Sequence, residues 1–389
     1  MVPPPVRVEH AVHDPSLSAV VVDRMPLRSP SAAPADGPTH VRAGSALARV
    51  GGRLAVVQDD VRELALVDLV SGIIHHVPFD PIVVDPASGI LHDVPLDSAV
   101  VHPVSGGIHH VPRDPTLAGT GSGTRGRTGR PAPATSSTGA ADDKSRKLDL
   151  EACVMQPMAG ADLLWLFGSG SGPRRERVVC VTVPRDRPVE RAIVYDAHAW
   201  YEQLRAAVEF AGSDLNVEGA VLLGPNLRLF QRANGAARDG LRPVNATADF
   251  DFAALRRHLA KPLAHPPPAP QHIVRYDLGA FAGVPLGFTD ATVVGDMVIY
   301  LAVAEDSPDA VQDGPVLGAV VGRIGPDAKA RWTRLLDATG RPFDCKVEGL
   351  SFDPADPGRG FVVLDPDDPA VPCDLCRIRL TGPWSAPAG

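Results

Sequence analysis

Lysine is nearly missing from this sequence: five of 389 residues, within a total of 38 lysines and arginines. Acidic side chains number 46, and the net charge of -8 leaves no electrostatic footprint for nucleic acid or an anionic membrane surface. No apolar run approaches the length needed to cross a bilayer. The first residues, Met-Val-Pro-Pro-Pro-Val-Arg-Val-Glu-His, lack the basic start and apolar centre of a secretory leader, so a cytoplasmic protein is expected. Five cysteines in so long a chain do not make a disulfide framework, which agrees with a reducing compartment. Gly-x-Ser-x-Gly, His-Glu-x-x-His and the dinucleotide fingerprint are all absent, so three common enzyme chemistries find no anchor. Scarce lysine beside abundant Ala, Arg, Pro, Gly and Asp suggests a GC-rich bacterial genome.

What is present is a recurring unit. Lys346-Val-Glu-Gly-Leu-Ser-Phe352 has counterparts at Leu148-Asp-Leu-Glu-Ala-Cys-Val154, Leu215-Asn-Val-Glu-Gly-Ala-Val221 and Phe288-Thr-Asp-Ala-Thr-Val293. Each reads as an acid, a small residue and the start of an apolar strand. A turn and further strand-like runs follow each, so the repeat is a four-stranded unit. Residues 44–50 open a fifth unit with Ser45 where the others carry the acid.

The remaining segments fit around these units. Residues 1–43 are rich in Pro, Ser and Ala, with one strand-like patch at Ser18 to Leu27 that could close a ring. Residues 67–83, 84–100 and 101–117 are tandem copies of one 17-residue segment, and residues 118–144 are a Gly-, Ser- and Thr-rich linker. We therefore expect 84–144 to be an insertion, partly disordered, between the first and second units. Helices are expected at His198 to Phe210, from the Trp200, Leu204, Val208 spacing, and within Asp249 to Leu259. The last unit is one strand short, as a ring closed by its N-terminal strand would be.

Short, evenly spaced strands with a per-unit motif predict an all-β fold: a β-propeller over residues 44–382, with five four-stranded blades and six as the alternative count. A double β-sandwich is the competing arrangement. Lys147-Leu-Asp-Leu-Glu-Ala152, Leu166-Phe-Gly-Ser-Gly-Ser171, Leu215 to Ala220, Phe288 to Thr292, Ala304-Glu-Asp-Ser-Pro308, Gly314-Pro-Val-Leu-Gly318 and Lys346 to Leu350 resemble an uncharacterised bacterial propeller family, a domain of unknown function. More distantly the chain is similar to phytase-like and esterase-like propellers, in which a Glu-Gly turn also recurs at blade starts. The resemblance covers most of residues 44–75 and 145–382. It implies a fold and no established reaction.

In a propeller the first strand of every blade lines the channel, so Glu151, Glu218, Asp290 and Glu348 should converge near one rim. Polar residues that end the second strands, Asp59, Asp60, Ser169, Gln231, Glu305, Asp306 and Asp365, should add to the ring. Crowded carboxylates need raised pKa values, Arg or Lys partners, or a cation, and hard oxygen ligands favour Ca²⁺ or Mg²⁺ over zinc. The competing possibility is architectural: an acid at a blade start can simply accept backbone N–H groups of the next blade. Arg174 and Arg175, in a Gly/Ser-rich loop, are candidates for holding an anion, although that loop opens no phosphate-binding helix. The lone Cys373-Asp-Leu-Cys376 should send its sulfurs to opposite faces of a strand, and the duplicated His75, His76, His92, His109 and His110 need no metal to explain them. The function expected is binding of a small molecule or divalent cation at an acidic channel mouth. A Ca²⁺-dependent phytase-like or esterase-like hydrolase and a protein-interaction scaffold are the alternatives.

Overall fold

A computed structural model describes residues 6–28, 40–78, 81–84, 91–93, 147–185, 189, 191–307 and 314–384. The linker and most of the tandem copies, including His109 and His110, lie outside the described residues.

The strands form antiparallel meanders. The first runs Gly44–Val50, Arg53–Gln58, Glu63–Val67 and Ile74–Pro78. The second runs Leu150–Met158, Ala161–Gly168, Arg177–Pro184 and Arg191–Asp196. The third is Val217–Leu223, Asn226–Gln231, Asn245–Asp251 and Gln271–Asp277. The fourth is Gly287–Val294, Met297–Glu305, Val316–Ile324 and Ala330–Leu336. The last has Val347–Asp353, Asp356–Leu364 and Asp374–Thr381, and its outer strand comes from the other end of the chain, Ser18–Pro26.

Each meander buries its faces against its neighbours. Separate apolar clusters lie between the first and second (Val57, Leu150, Leu166), the second and third (Phe167, Trp200, Phe250), the third and fourth (Phe230, Phe288, Tyr300), and the fourth and fifth (Leu301, Leu350, Val362). A further cluster, with Leu47, Leu54, Val363 and Leu375, packs the fifth against the first. The innermost strands also contact one another in sequence, and Val347–Asp353 returns to Gly44–Val50. Sheets that bury both faces only on neighbours and come back to the start make a β-propeller.

The ring is fastened by the N-terminal segment. Ser18–Pro26 pairs antiparallel with Asp374–Thr381, with Ala19 opposite Leu380 and Met25 opposite Leu375. Ala19 and Val21 are buried. Upstream, Arg7–His10 adds a parallel outer strand to the third meander and Val12–His13 pairs with the fourth. One stretch thus crosses three outer edges. Parts of the first two tandem copies also pair: Pro81–Val84 lies parallel to the outer strand of the second meander, and Leu91–Asp93 pairs with Pro81–Val84.

The helices differ from expectation in detail. Instead of one helix over 198–210 there are two, His198–Ala206 and Val208–Ala211, broken at Ala207. Trp200 and Leu204 are fully buried, whereas Val208 faces outward. The segment 249–259 divides as well: Asn245–Asp251 is a strand, and Asp251 then caps helix Phe252–Ala260 by accepting the Ala254 N–H at 2.8 Å.

Candidate functional site

Every innermost strand carries a β-bulge near its start. The register shifts fall at Ser45, Glu151, Glu218, Thr289 and Glu348. A bulge re-aims the extra side chain out of the pleat. Here it sets these five residues at equivalent positions of their inner strands. Two of them are hydroxyls that stitch neighbouring sheets: Ser45 Oγ donates to the Leu150 carbonyl at 2.6 Å and Thr289 Oγ1 to that of Val347 at 2.7 Å. The other three are glutamates.

Asp290 is therefore shifted by one position from the place that the sequence repeat suggested. It matches Gly219 and Gly349, where inner backbones come so close that a Cβ on Gly349 would lie 2.8 Å from Ala46 and Leu47 backbone atoms. Its carboxylate accepts the N–H groups of Leu350 and Ala291, each at 2.7 Å, and also that of Leu47. Asp290 thus tethers three inner strands, the architectural role weighed for these acids. Burial raises its pKa well above the usual range, although the backbone donors pull it down.

Around the glutamates sits a ring of charges. Arg232 is buried and shared: Nη1 donates to Glu218 Oε2 at 3.3 Å, Nη2 to Glu305 Oε2 at 2.5 Å, and Nη1 lies 3.9 Å from Glu348 Oε1. Gly287 leaves room for it, since a Cβ there would come within 2.8 Å of the Arg232 side chain. Lys346 reaches Asp365 at 3.2 Å and Asp367 at 2.6 Å, with Glu348 Oε1 at 3.9 Å. Lys147 donates to Asp59 Oδ2 at 3.0 Å, and Arg175 and Ser169 donate to Asp149 Oδ2 at 2.8 and 2.5 Å. Asn216 Nδ2 donates to Glu218 Oε1 at 2.5 Å.

One guanidinium cannot neutralise three carboxylates. Glu305 keeps its charge: burial raises its pKa, but Arg232 and Lys346 outweigh this and hold it below the usual range. Glu218 is pushed up to about 7 by burial, against the pull of Arg232 and Lys346. Burial likewise drives Glu348 well above the ordinary value, with Glu218 adding to the rise. Glu151 rises in the same way, from burial first and then from Asp149, Glu218, Asp59 and Glu348. These mutual repulsions place the three glutamates in one electrostatic neighbourhood.

Among the described residues no hydrogen bond or ion pair engages the Glu151 carboxylate. Glu348 Oε2, Asp59 Oδ1 and Asp60 Oδ1 are buried and without a hydrogen-bond partner. In their ionised form all three are acceptors. An arrangement with surplus buried acceptors suits a cation or a ligand rich in donors.

The remaining candidates separate. Asp306 is exposed beyond the end of its strand. Arg175 faces the mouth but is committed to Asp149 and Ser171, and Arg174 is exposed. Gly168 and Gly170 serve packing, since a Cβ on Gly168 would strike the Arg175 carbonyl and one on Gly170 the Tyr201 ring. Cys373 and Cys376 are buried in different apolar clusters, on opposite faces as the strand alternation requires. His76 Nδ1 is 2.8 Å from Glu63 Oε1, while His75 is exposed and the side chain of His92 lies outside the described residues.

Sequence reasoning missed Arg232, Lys147, Asp149, Asn216 and Lys346 as parts of the site. A signal existed for most of them. Lys147, Asp149 and Glu151, then Asn216 and Glu218, then Lys346 and Glu348 recur at a spacing of two, which marks them as a repeated pattern, while the bulges and the left-handed backbone of Asp149 decide where they point. Arg232 carried no such mark.

The match that decides kinship covers residues 143–369, from the approach to Glu151 to just beyond Asp365 and Asp367, and belongs to a family of unknown function, DUF6910. The chain belongs to the DUF6910 family. No match was found among curated proteins. Among solved structures, this DUF6910 chain is similar to a glutaminyl cyclase from Myxococcus xanthus, at 9% identity and a TM-score of 0.39, over 97% of this chain and 99% of that one. A putative glycoside hydrolase from Parabacteroides distasonis aligns at 9% identity and a TM-score of 0.40, over 87% of each chain. The WD40 repeats of RRP9 align at 10% identity and a TM-score of 0.37, over 93% of this chain and 99% of that one. No activity is carried over from any of them. No helix among the described residues of the DUF6910 chain is long and apolar enough to cross a membrane.

Proposed function

We propose that this chain is a five-bladed propeller that binds a divalent cation or a small donor-rich molecule at the acidic mouth of its channel. The observation that supports this reading is the set of equivalent bulges at Glu151, Glu218 and Glu348, with Arg232 between Glu218 and Glu348 and with Glu348 Oε2 buried and lacking a partner. A buried carboxylate oxygen with nothing to accept from costs about 1–3 kcal/mol. A ligand that supplies positive charge or donors removes that cost, and a propeller's channel mouth is the usual place for one. The absence of disulfides among Cys153, Cys180, Cys345, Cys373 and Cys376 goes with a cytoplasmic setting.

The test is calorimetric titration of the full chain with Ca²⁺, Mg²⁺ and a panel of small amines and polyols. Saturable binding that a Glu218→Gln, Glu348→Gln double variant loses supports the reading. Binding of nothing in the panel, or binding untouched by that variant and by changes elsewhere in the mouth, would remove it.

A further inference from the structure

The geometry points to a specific place for a cation within this mouth: we propose that Asp59, Asp149 and Glu151 form a hard divalent cation site, suited to Ca²⁺ before Mg²⁺. The inference rests on the reading above and narrows it to three residues, of which Asp149 lies outside the ring expected from the sequence.

Each of the three offers a carboxylate oxygen, and these oxygens all lie within 4.8 Å of one another. Ca²⁺ takes six to eight oxygens in a flexible arrangement, which carboxylates held this close can supply without the near-ideal octahedron that Mg²⁺ demands. They arrive from two meanders. Asp59 follows the second strand of the first, while Asp149 and Glu151 bracket the start of the second. Sharing a ligand would therefore clamp neighbouring sheets.

The protein's own cations leave the set incomplete. Lys147 occupies Asp59 Oδ2, and Arg175 with Ser169 occupies Asp149 Oδ2. Asp59 Oδ1 remains buried and unpartnered. An independent observation comes from across the mouth. Glu348 is 3% exposed, sits at the bulge equivalent to that of Glu151, and keeps Oε2 without a partner. Buried carboxylate oxygens without donors, Asp59 Oδ1 and Glu348 Oε2 among them, suit a cation. The donor set contains only oxygens, which selects hard ions over zinc or copper.

The full-length protein, stripped with EDTA, is titrated with CaCl₂ by calorimetry and followed by thermal melting. One saturable site and a rise in melting temperature with Ca²⁺ are expected, with affinity weakened at least about tenfold by Asp59→Asn and by Glu151→Gln. A Lys147→Met variant provides the opposite sign: removing the ammonium that competes for Asp59 should tighten Ca²⁺ binding, a gain that mere damage to the fold cannot produce. No saturable binding up to about 10 mM, beyond the weakest class of calcium modules, overturns the proposal. So does binding that ignores Asp59→Asn, Glu151→Gln and Lys147→Met. If such binding is instead lost in the Glu218→Gln, Glu348→Gln variant, this placement fails while the acidic-mouth reading stands.

Discussion

Asp290 Oδ2 accepts the backbone N–H of Leu350 at 2.7 Å, across the boundary between two neighbouring sheets. With the Ala291 and Leu47 N–H groups on the same carboxylate, this side chain ties inner strands together near the axis. Asp290→Ala should leave three backbone donors unsatisfied and destabilise the protein by about 3 kcal/mol or more. Cation binding by the residual folded protein should be retained. Urea denaturation measures the first effect and calorimetry the second; a stability change below about 1 kcal/mol contradicts the tethering role.

Arg232 is the hub of the mouth, shared by Glu218, Glu305 and Glu348. Arg232→Met removes the charge while keeping much of the side-chain volume. Stranding buried carboxylates in this way should cost about 3–5 kcal/mol at neutral pH. Adding Glu218→Gln and Glu305→Gln should recover part of the loss. A triple variant no more stable than Arg232→Met alone would show that the cluster is not organised around this guanidinium.

The titration of Glu218 gives a pH dependence with a definite sign. Its ordinary value of 4.5 is raised to about 7 in the fold, so between these values the folded state holds a proton that the unfolded chain has released. Stability from this group is full below about pH 4.5 and is lost as pH rises through 7. Melting temperatures of metal-free protein should fall between about pH 5 and pH 8, and Glu218→Gln should flatten that slope. An unchanged slope in the variant would assign the dependence to other groups.

Gly349 lies where the inner strands nearly touch, with an added Cβ 2.8 Å from backbone atoms of Ala46 and Leu47. Gly349→Ala should therefore force inner strands apart and cost about 1–3 kcal/mol. The substitution Gly224→Ala, in an open turn at φ +60, offers a comparison in which only backbone strain operates. Denaturation midpoints compare the two, and a Gly349→Ala cost no larger than that of Gly224→Ala would refute close packing at the axis.

Closure by Ser18–Pro26 predicts that deleting residues 1–26 opens the ring. Leu17, Ala19 and Val21 leave the core, and the final meander loses its outer strand. The expected result is a drop in melting temperature of about 10 °C or more, with loss of a single cooperative transition in circular dichroism. A truncated chain that melts within about 2 °C of the full one would rule out this fastening.

Much of the site was legible because strand alternation is local. The recurring glutamates, the acids and lysines two residues before them, and the missing last strand can all be read from spacing and composition. The error at Asp290 has an equally physical origin. Beside the conserved spacing of apolar residues, an acid at 290 looks equivalent to Glu151, but the bulge makes Thr289 the extra residue, and a one-residue offset changes which way a side chain points. Asn245–Asp251 escaped notice for a related reason: Asp251 ends a strand and caps the following helix in one step, so the helix signal masked the strand.

The sequence by itself determined a chain of short strands in repeated meanders, an N-terminal strand left over to complete the last, and glutamates near the start of three inner strands. Alternating apolar and polar residues act over neighbouring positions, so each of these is written locally. Only the tertiary structure decided which charges meet. Arg232 finds Glu305 across 73 positions and Lys147 finds Asp59 across 88 because radial packing carries strand ends to a shared axis. The partners of a buried charge depend on which backbones lie beside it in space, and that is fixed when the ring closes.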